Sequence, residues 1–155
     1  MTATALQTVP DTARLTAASA LQKLLPELVA LTLNAKQAHW NVTGPAFLPL
    51  HALTDEIAAD LRAWVDRVAE RAVALGFAVD ARPGTVAAVD GQFPAGRVSD
   101  HEAIAELVEH IDDITATARG SVADLERVDV VAHDLTVTVL EGLEKYRWML
   151  SAQAV

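Results

Sequence analysis

Four long stretches of the chain repeat apolar residues at intervals of three and four, the spacing that gathers them on one side of an α-helix. The first runs from about Thr16 to Val42 on Leu21, Leu24, Leu25, Val29, Leu31 and Leu33. Pro26 falls inside it and removes a backbone hydrogen bond, so either the helix bends there or its regular part begins near Leu25. Thr43-Gly44-Pro45 carries the usual stop signals. The second stretch runs from about Phe47 to Leu75 on Leu50, Leu53, Ile57, Leu61, Trp64, Val65 and Val68. The third opens with Ser99-Asp100-His101-Glu102, a capping box, and continues to about Leu125 on Ile104, Leu107, Val108, Ile111 and Ile114, weakened locally by Gly120. The fourth follows Asp129, a plausible N-cap, and ends near Ala152. Its apolar residues, from Val130 and Val131 through Leu135, Val137, Val139, Leu140 and Leu143 to Met149 and Leu150, run most of the way round, so it is buried or meets another subunit.

Between the second and third stretches lies a Gly/Pro-rich connector from Gly76 to about Val98. It is long for a bundle loop. Thr85 to Val89 can form a short helix within it. A connector of this length is expected when the helices it joins are parallel and the chain must cross over. The expectation is an all-α four-helix bundle over residues 16–155, with a long crossover connector between helices two and three carrying a short helix. Residues 1–15, small and polar with Pro10, are expected to form a flexible arm.

The polar side of the second helix holds the candidate chemistry. His51 and Asp55 are spaced i,i+4, and so are Asp66 and Glu70, so each pair sits one turn apart on one face. His39 lies just before the turn that precedes them. Asp55 and Asp66 are eleven residues apart. That is about three turns and roughly 16 Å of helix, so both pairs face the same way but cannot reach one ion. Metal–ligand bonds are about 2.0–2.6 Å long. Two copies of this helix packed antiparallel across a two-fold axis would lay Asp55 of one beside Asp66 and Glu70 of the other, giving two equivalent shared sites. The plainer alternative is a solvated acidic face paired with Arg62, Arg67 and Arg71. Trp40 is read as a core residue, and His101 and His110 as surface residues.

Composition narrows the chemistry. The net charge of −9 is the opposite of a nucleic-acid footprint and suits a protein that attracts cations. With no cysteine, thiolate sites and disulfides are excluded, leaving His and carboxylate. That donor set suits iron or manganese, with zinc possible where His contributes. No Glu-x-x-His motif occurs, and the His and carboxylate residues of interest are confined to the first two helices. An ordinary di-iron site inside one bundle is therefore not expected, which favours a site between subunits. No basic-then-apolar leader and no run of about 18 apolar residues is present, so a cytoplasmic location away from the membrane is expected.

Lys36 to Pro45 (KQAHWNVTGP), then Phe47, Leu50-His51, Asp55-Glu56 and Asp66-x-x-Ala69-Glu70-Arg71, with Glu144-Lys145-Tyr146-x-Trp148-Met149-Leu150 near the end, resemble the signature of the Dps proteins. These are the DNA-binding proteins from starved cells, a branch of the ferritin-like superfamily. The resemblance implies a ferritin-like bundle, a hollow homododecamer, and a ferroxidase centre at a two-fold interface. His39, His51 and Asp55 would come from one chain and Asp66 and Glu70 from its mate. It also implies oxidation of Fe(II), with hydrogen peroxide or more slowly dioxygen as acceptor, storage of an Fe(III) mineral, and protection from oxidative damage. Iron entry would use acidic pores near three-fold axes, for which Asp124, Asp129 and Asp134 are candidates. Some relatives bind DNA through basic tails, but residues 1–20 carry only Asp11 and Arg14, and Ser151 to Val155 carry no side-chain charge. DNA binding is thus the family property for which the chain lacks the residues. Two other functions remain as alternatives: an architectural DNA-compacting, nucleoid-associated protein with little redox activity, and a purely structural helical assembly.

Overall fold

The computed structural model describes residues 9–153. Four long helices carry the fold: α1 (Asp11–Asn41), α2 (Phe47–Ala74), α4 (Asp100–Val128) and α5 (Val130–Ser151), with a short α3 (Pro83–Ala87) in the connector. Helix α1 begins at Asp11, earlier than the apolar pattern indicated. Pro10 occupies the N-cap position and Asp11 stands in the first turn, where the helix dipole favours a carboxylate. The expected arm thus gives up residues 11–15 to the helix, and residues 1–8 lie outside the described residues. Pro26 does not end the helix, which runs through it unbroken, its buried flank of Leu21, Leu24, Leu25, Leu28 and Leu31 held in the core.

Two residue pairs set the topology. Val42 and Thr43, which follow α1, pair in parallel with Val98 and Ser99, which precede α4. Both strands lead straight into helices, so α2 and α4 start at the same end of the bundle and the connector must travel back along it. Two amide side chains of α1 guide it. Gln22 donates to Asp80 O at 2.8 Å and accepts from Asp80 N at 2.9 Å. Asn34 donates to Gly91 O at 2.6 Å and accepts from Phe93 N at 3.3 Å. Connector and α1 therefore run side by side in the same sense. The expected crossover, with its short helix, is what the chain builds.

Helix ends follow their caps. Ser99 Oγ accepts from Glu102 N at 3.2 Å, the first half of the capping box. Asp129 caps α5 by accepting from Ala132 N at 2.7 Å, and its other oxygen takes Arg71 Nη2 at 2.5 Å. It is 5% exposed, which removes it from the pore candidates: its carboxylate faces inward onto α2 and its own helix. Asp124 is exposed and paired with Arg127, and Asp134 is exposed. Tyr146 is fully buried, and its hydroxyl donates to Asp60 at 2.6 Å.

Gly142 and Gly120 make a paired test of packing. A Cβ at Gly142 would overlap the Trp64 indole, whereas one at Gly120 meets nothing within 4 Å. Gly142→Ala is expected to cost about 1–3 kcal/mol. Gly120→Ala should be neutral or gain up to about 1 kcal/mol through helix propensity. Thermal unfolding of the two variants beside the parent protein checks the order.

Candidate metal centre

His39 sits in the last turn of α1 and His51 one turn into α2, across the turn that joins them. Each imidazole is held by the other's backbone. His39 Nδ1 lies 2.7 Å from His51 O, and His51 Nδ1 lies 2.9 Å from His39 O. A carbonyl oxygen can only accept, so each Nδ1 carries a proton, and in the neutral ring Nε2 is the nitrogen with the lone pair. The rings stack at 3.7 Å between centroids, tilted by 19°. Phe47 covers His51 at 5.3 Å. A neutral imidazole whose Nδ1–H is anchored on a carbonyl is the arrangement that orients Nε2 toward a metal.

The turn owes its shape to Gly44 and Asp100. Gly44 has φ +125°, open to glycine but strained for other residues, and any Cβ there would strike the Asp100 carboxylate. Asp100 is 7% exposed and accepts from Ala46 N at 2.9 Å and His101 N at 3.0 Å. These amides, Ala46 foremost, hold its carboxyl below the ordinary carboxylate range. Asp100 thereby ties the start of α4 to the loop between the two histidines. Read from sequence it was only the second residue of a capping box, and no local spacing links it to Ala46.

Asp55, on the next turn of α2 after His51, is exposed and joined to Lys36 Nζ at 2.6 Å. The lysine's hydrogen bond and charge, and more weakly the two imidazoles, hold the Asp55 carboxyl below its ordinary range. Lys36 also lies 5.7 Å over the Trp40 ring. Lys36 had no assigned role, although its position three residues before His39 places it on the same side of α1. Trp40 corrects an expectation: it is 68% exposed rather than core. At the end of α1 its ring lies outside the contacts with α2 and α4 that bury Ala35 and Ala38. Phe47 at 40% and Leu48 at 72% are likewise exposed, in the first turn of α2 just before His51.

Asp66 and Glu70 are exposed on α2, about three and four turns beyond Asp55, and do not join the histidines within one chain. Among the described residues, no three His, Asp or Glu side chains form a metal-sized cluster. Arg71, a candidate partner for the acidic face, pairs instead with Asp129. Arg62 and Arg67 make no ion pair among the described residues, so Asp66 and Glu70 are not neutralised by the arginines around them. His101 is exposed as expected, but His110 is buried at 4% exposure, packed under the connector at Gly91.

A family model described as a Ferritin-like domain matches residues 18–155. DNA protection during starvation protein 2 of Deinococcus radiodurans is 34% identical over 135 residues, covering 86% of this chain and 56% of its own length. The chain thus spans little more than half of that relative. DNA protection during starvation protein of Mycolicibacterium smegmatis is 33% identical over 139 residues, covering 87% of this chain and 75% of its own. Among solved structures, Dps from Microbacterium arborescens in the high iron form superposes with a TM-score of 0.87 at 34% identity, over 96% of this chain and 98% of that one. No helix among the described residues is long and apolar enough to cross a membrane.

The Lys36–Asp55 pair yields a test of the half-site. An ammonium and a metal ion compete for the same carboxylate, and an exposed ion pair is worth up to about 1 kcal/mol. Lys36→Met is therefore expected to tighten Zn(II) binding by up to about fivefold in calorimetric titration. Unchanged or weaker binding would remove Asp55 from the ligand set.

Proposed function

The chain belongs to the Dps family of the ferritin-like superfamily, and on that footing we propose that it is a ferroxidase and iron store. Its assembly is a hollow homododecamer in which each oxidation site is shared by two chains. One observation carries the reading. Two imidazoles with anchored Nδ1–H groups offer Nε2 lone pairs beside Asp55, while Asp66 and Glu70 make no ion pair among the described residues further along the same helix. An antiparallel α2 from a two-fold mate brings the second pair to the first.

In this mechanism Fe(II) is the substrate. His39 and His51 supply neutral nitrogen donors, and Asp55 supplies negative charge once Lys36 yields. Asp66 and Glu70 of the mate complete the shell. Carboxylates favour the ferric product over the ferrous substrate, because the higher charge gains more from anionic ligands. Hydrogen peroxide, or more slowly dioxygen, accepts the electrons. With peroxide, two Fe(II) ions lose one electron each, and the peroxide takes up two protons to become water. Ferric iron then hydrolyses and is stored as mineral within the shell. The rim of Trp40, Phe47 and Leu48 is buried by the mate, which excludes water from the site. The chain's net charge of −9 draws Fe(II) inward, with exposed Asp124 and Asp134 as entry candidates. Zn(II) and Mn(II) can occupy the same donors. The setting is cytoplasmic, and the cellular effect is protection from oxidative damage by removal of Fe(II) and peroxide together. Direct DNA contact forms no part of the proposal, since phosphate binding needs cationic clusters.

The double substitution His39→Ala with His51→Ala is expected to slow Fe(II) oxidation by peroxide at least tenfold in stopped-flow absorbance, on the order of what loss of metal-orienting groups costs. The assembly should keep its mass in solution. An unchanged rate with intact shells would count against the assignment.

A further inference from the structure

Away from the metal centre, His110 is a buried histidine with an unused proton. On α4 its Nδ1 lies 2.9 Å from Asn34 Nδ2. The connector fixes which way the Asn34 amide points, because Nδ2 donates to Gly91 O and Oδ1 accepts from Phe93 N. Turning the amide over would set oxygen against carbonyl and NH₂ against N–H. Nδ2 therefore donates to His110 Nδ1, which must be the bare nitrogen of a neutral ring. The proton sits on Nε2, which is buried and has no hydrogen-bond partner among the described residues. A second partnerless buried atom, Glu27 Oε2, lines the same cavity between α1, α4 and the connector. The cavity is not a transition-metal pocket: Nε2 presents a hydrogen rather than a lone pair, and no three-ligand cluster occurs among the described residues. Gly91, at φ +81°, rests on the imidazole so closely that a Cβ there would lie 3.4 Å from the ring.

We propose that Asn34 and His110 form a proton-operated latch that holds the Gly91–Phe93 segment of the connector on the bundle. While Nδ1 is bare, one amide ties α1, α4 and two connector backbone groups together. Protonation of Nδ1 turns its acceptor into a donor and sets two donors against each other at hydrogen-bonding distance. Asn34 then cannot serve His110 and the connector at once, and the segment lifts.

The charged groups facing the ring are Lys23 and Glu27 from α1, Asp90 from the connector and Asp113 from α4. Burial disfavours the imidazolium in the closed state and lowers the His110 pKa, with Asp113 pulling the other way. Once water enters, Glu27, Asp90 and Asp113 favour the charged ring and Lys23 opposes it. The closed state thus binds a proton less readily than the open one. Opening is favoured as pH falls below the ordinary histidine value of 6.5, until the closed ring itself protonates.

The test is hydrogen–deuterium exchange by mass spectrometry on the assembled protein, from about pH 7.5 to about pH 5.5, corrected for the chemical exchange rate. The opening constant of connector peptides spanning residues 89–97 is expected to rise by up to about tenfold per pH unit below the histidine value. Peptides from α2 should show no such rise. His110→Gln, whose amide oxygen can accept from Asn34 but does not titrate, should flatten the connector's response. A flat connector profile in the parent protein, an equal rise in α2, or an undiminished rise in His110→Gln would each overturn the latch. If His110→Gln fails to assemble, the contrast between connector and α2 in the parent protein decides.

Discussion

A metal–ligand bond spans about two ångströms, whereas a straight helix separates residues eleven apart by roughly 16 Å. That mismatch governs the chain. Helix α2 carries two candidate ligand pairs on one face, and neither can help the other within a single molecule. The bundle stacks His39 on His51 of the first pair and leaves the second pair exposed on the surface. Under the proposed function, folding finishes half a site and the remainder falls to assembly. Under the same proposal, exposed Trp40, Phe47 and Leu48 are apolar area for a second copy rather than for the core.

The half-site is stiff because backbone holds it. The two histidines anchor on each other's carbonyls, so ring orientation, tautomer and the α1–α2 turn are one arrangement. Asp100 extends it to α4 by gripping the Ala46 amide, and Gly44 leaves room for that carboxylate. On the far side of α1, Gln22 and Asn34 steer the connector that lets α2 and α4 run parallel. Helix α1 therefore serves both jobs: it supplies a candidate ligand, His39, at its end and a track for the crossover along its length.

Much of this was legible beforehand. Four helices, the crossover with its short helix, the Ser99 and Asp129 caps and the two-pair pattern on α2 all rest on local spacing, which periodicity reports faithfully. Long-range pairing was not legible. Lys36 with Asp55, Asp100 with Ala46, Arg71 with Asp129 and Asn34 with His110 join residues between 19 and 76 positions apart, and nothing local marks them. Trp40 misled because an indole is usually buried, whereas here it is exposed at the end of α1. His110 misled in the opposite direction, because a polar residue on an amphipathic helix can be buried when a distant amide satisfies one of its nitrogens. The helix beginning at Asp11 shows the ordinary limit of boundary placement from pattern alone.

The most direct test of shared sites is complementation between two inactive chains. One carries His39→Ala with His51→Ala, the other Asp66→Ala with Glu70→Ala, and both are co-expressed in equal amounts. Random pairing makes half the dimers mixed, and each mixed dimer holds one intact and one doubly damaged site. Ferrous oxidation in the mixed shells should therefore return to about a quarter of the parent rate, while either variant alone stays inactive. Mixed shells no more active than the single variants would contradict a site divided between two chains.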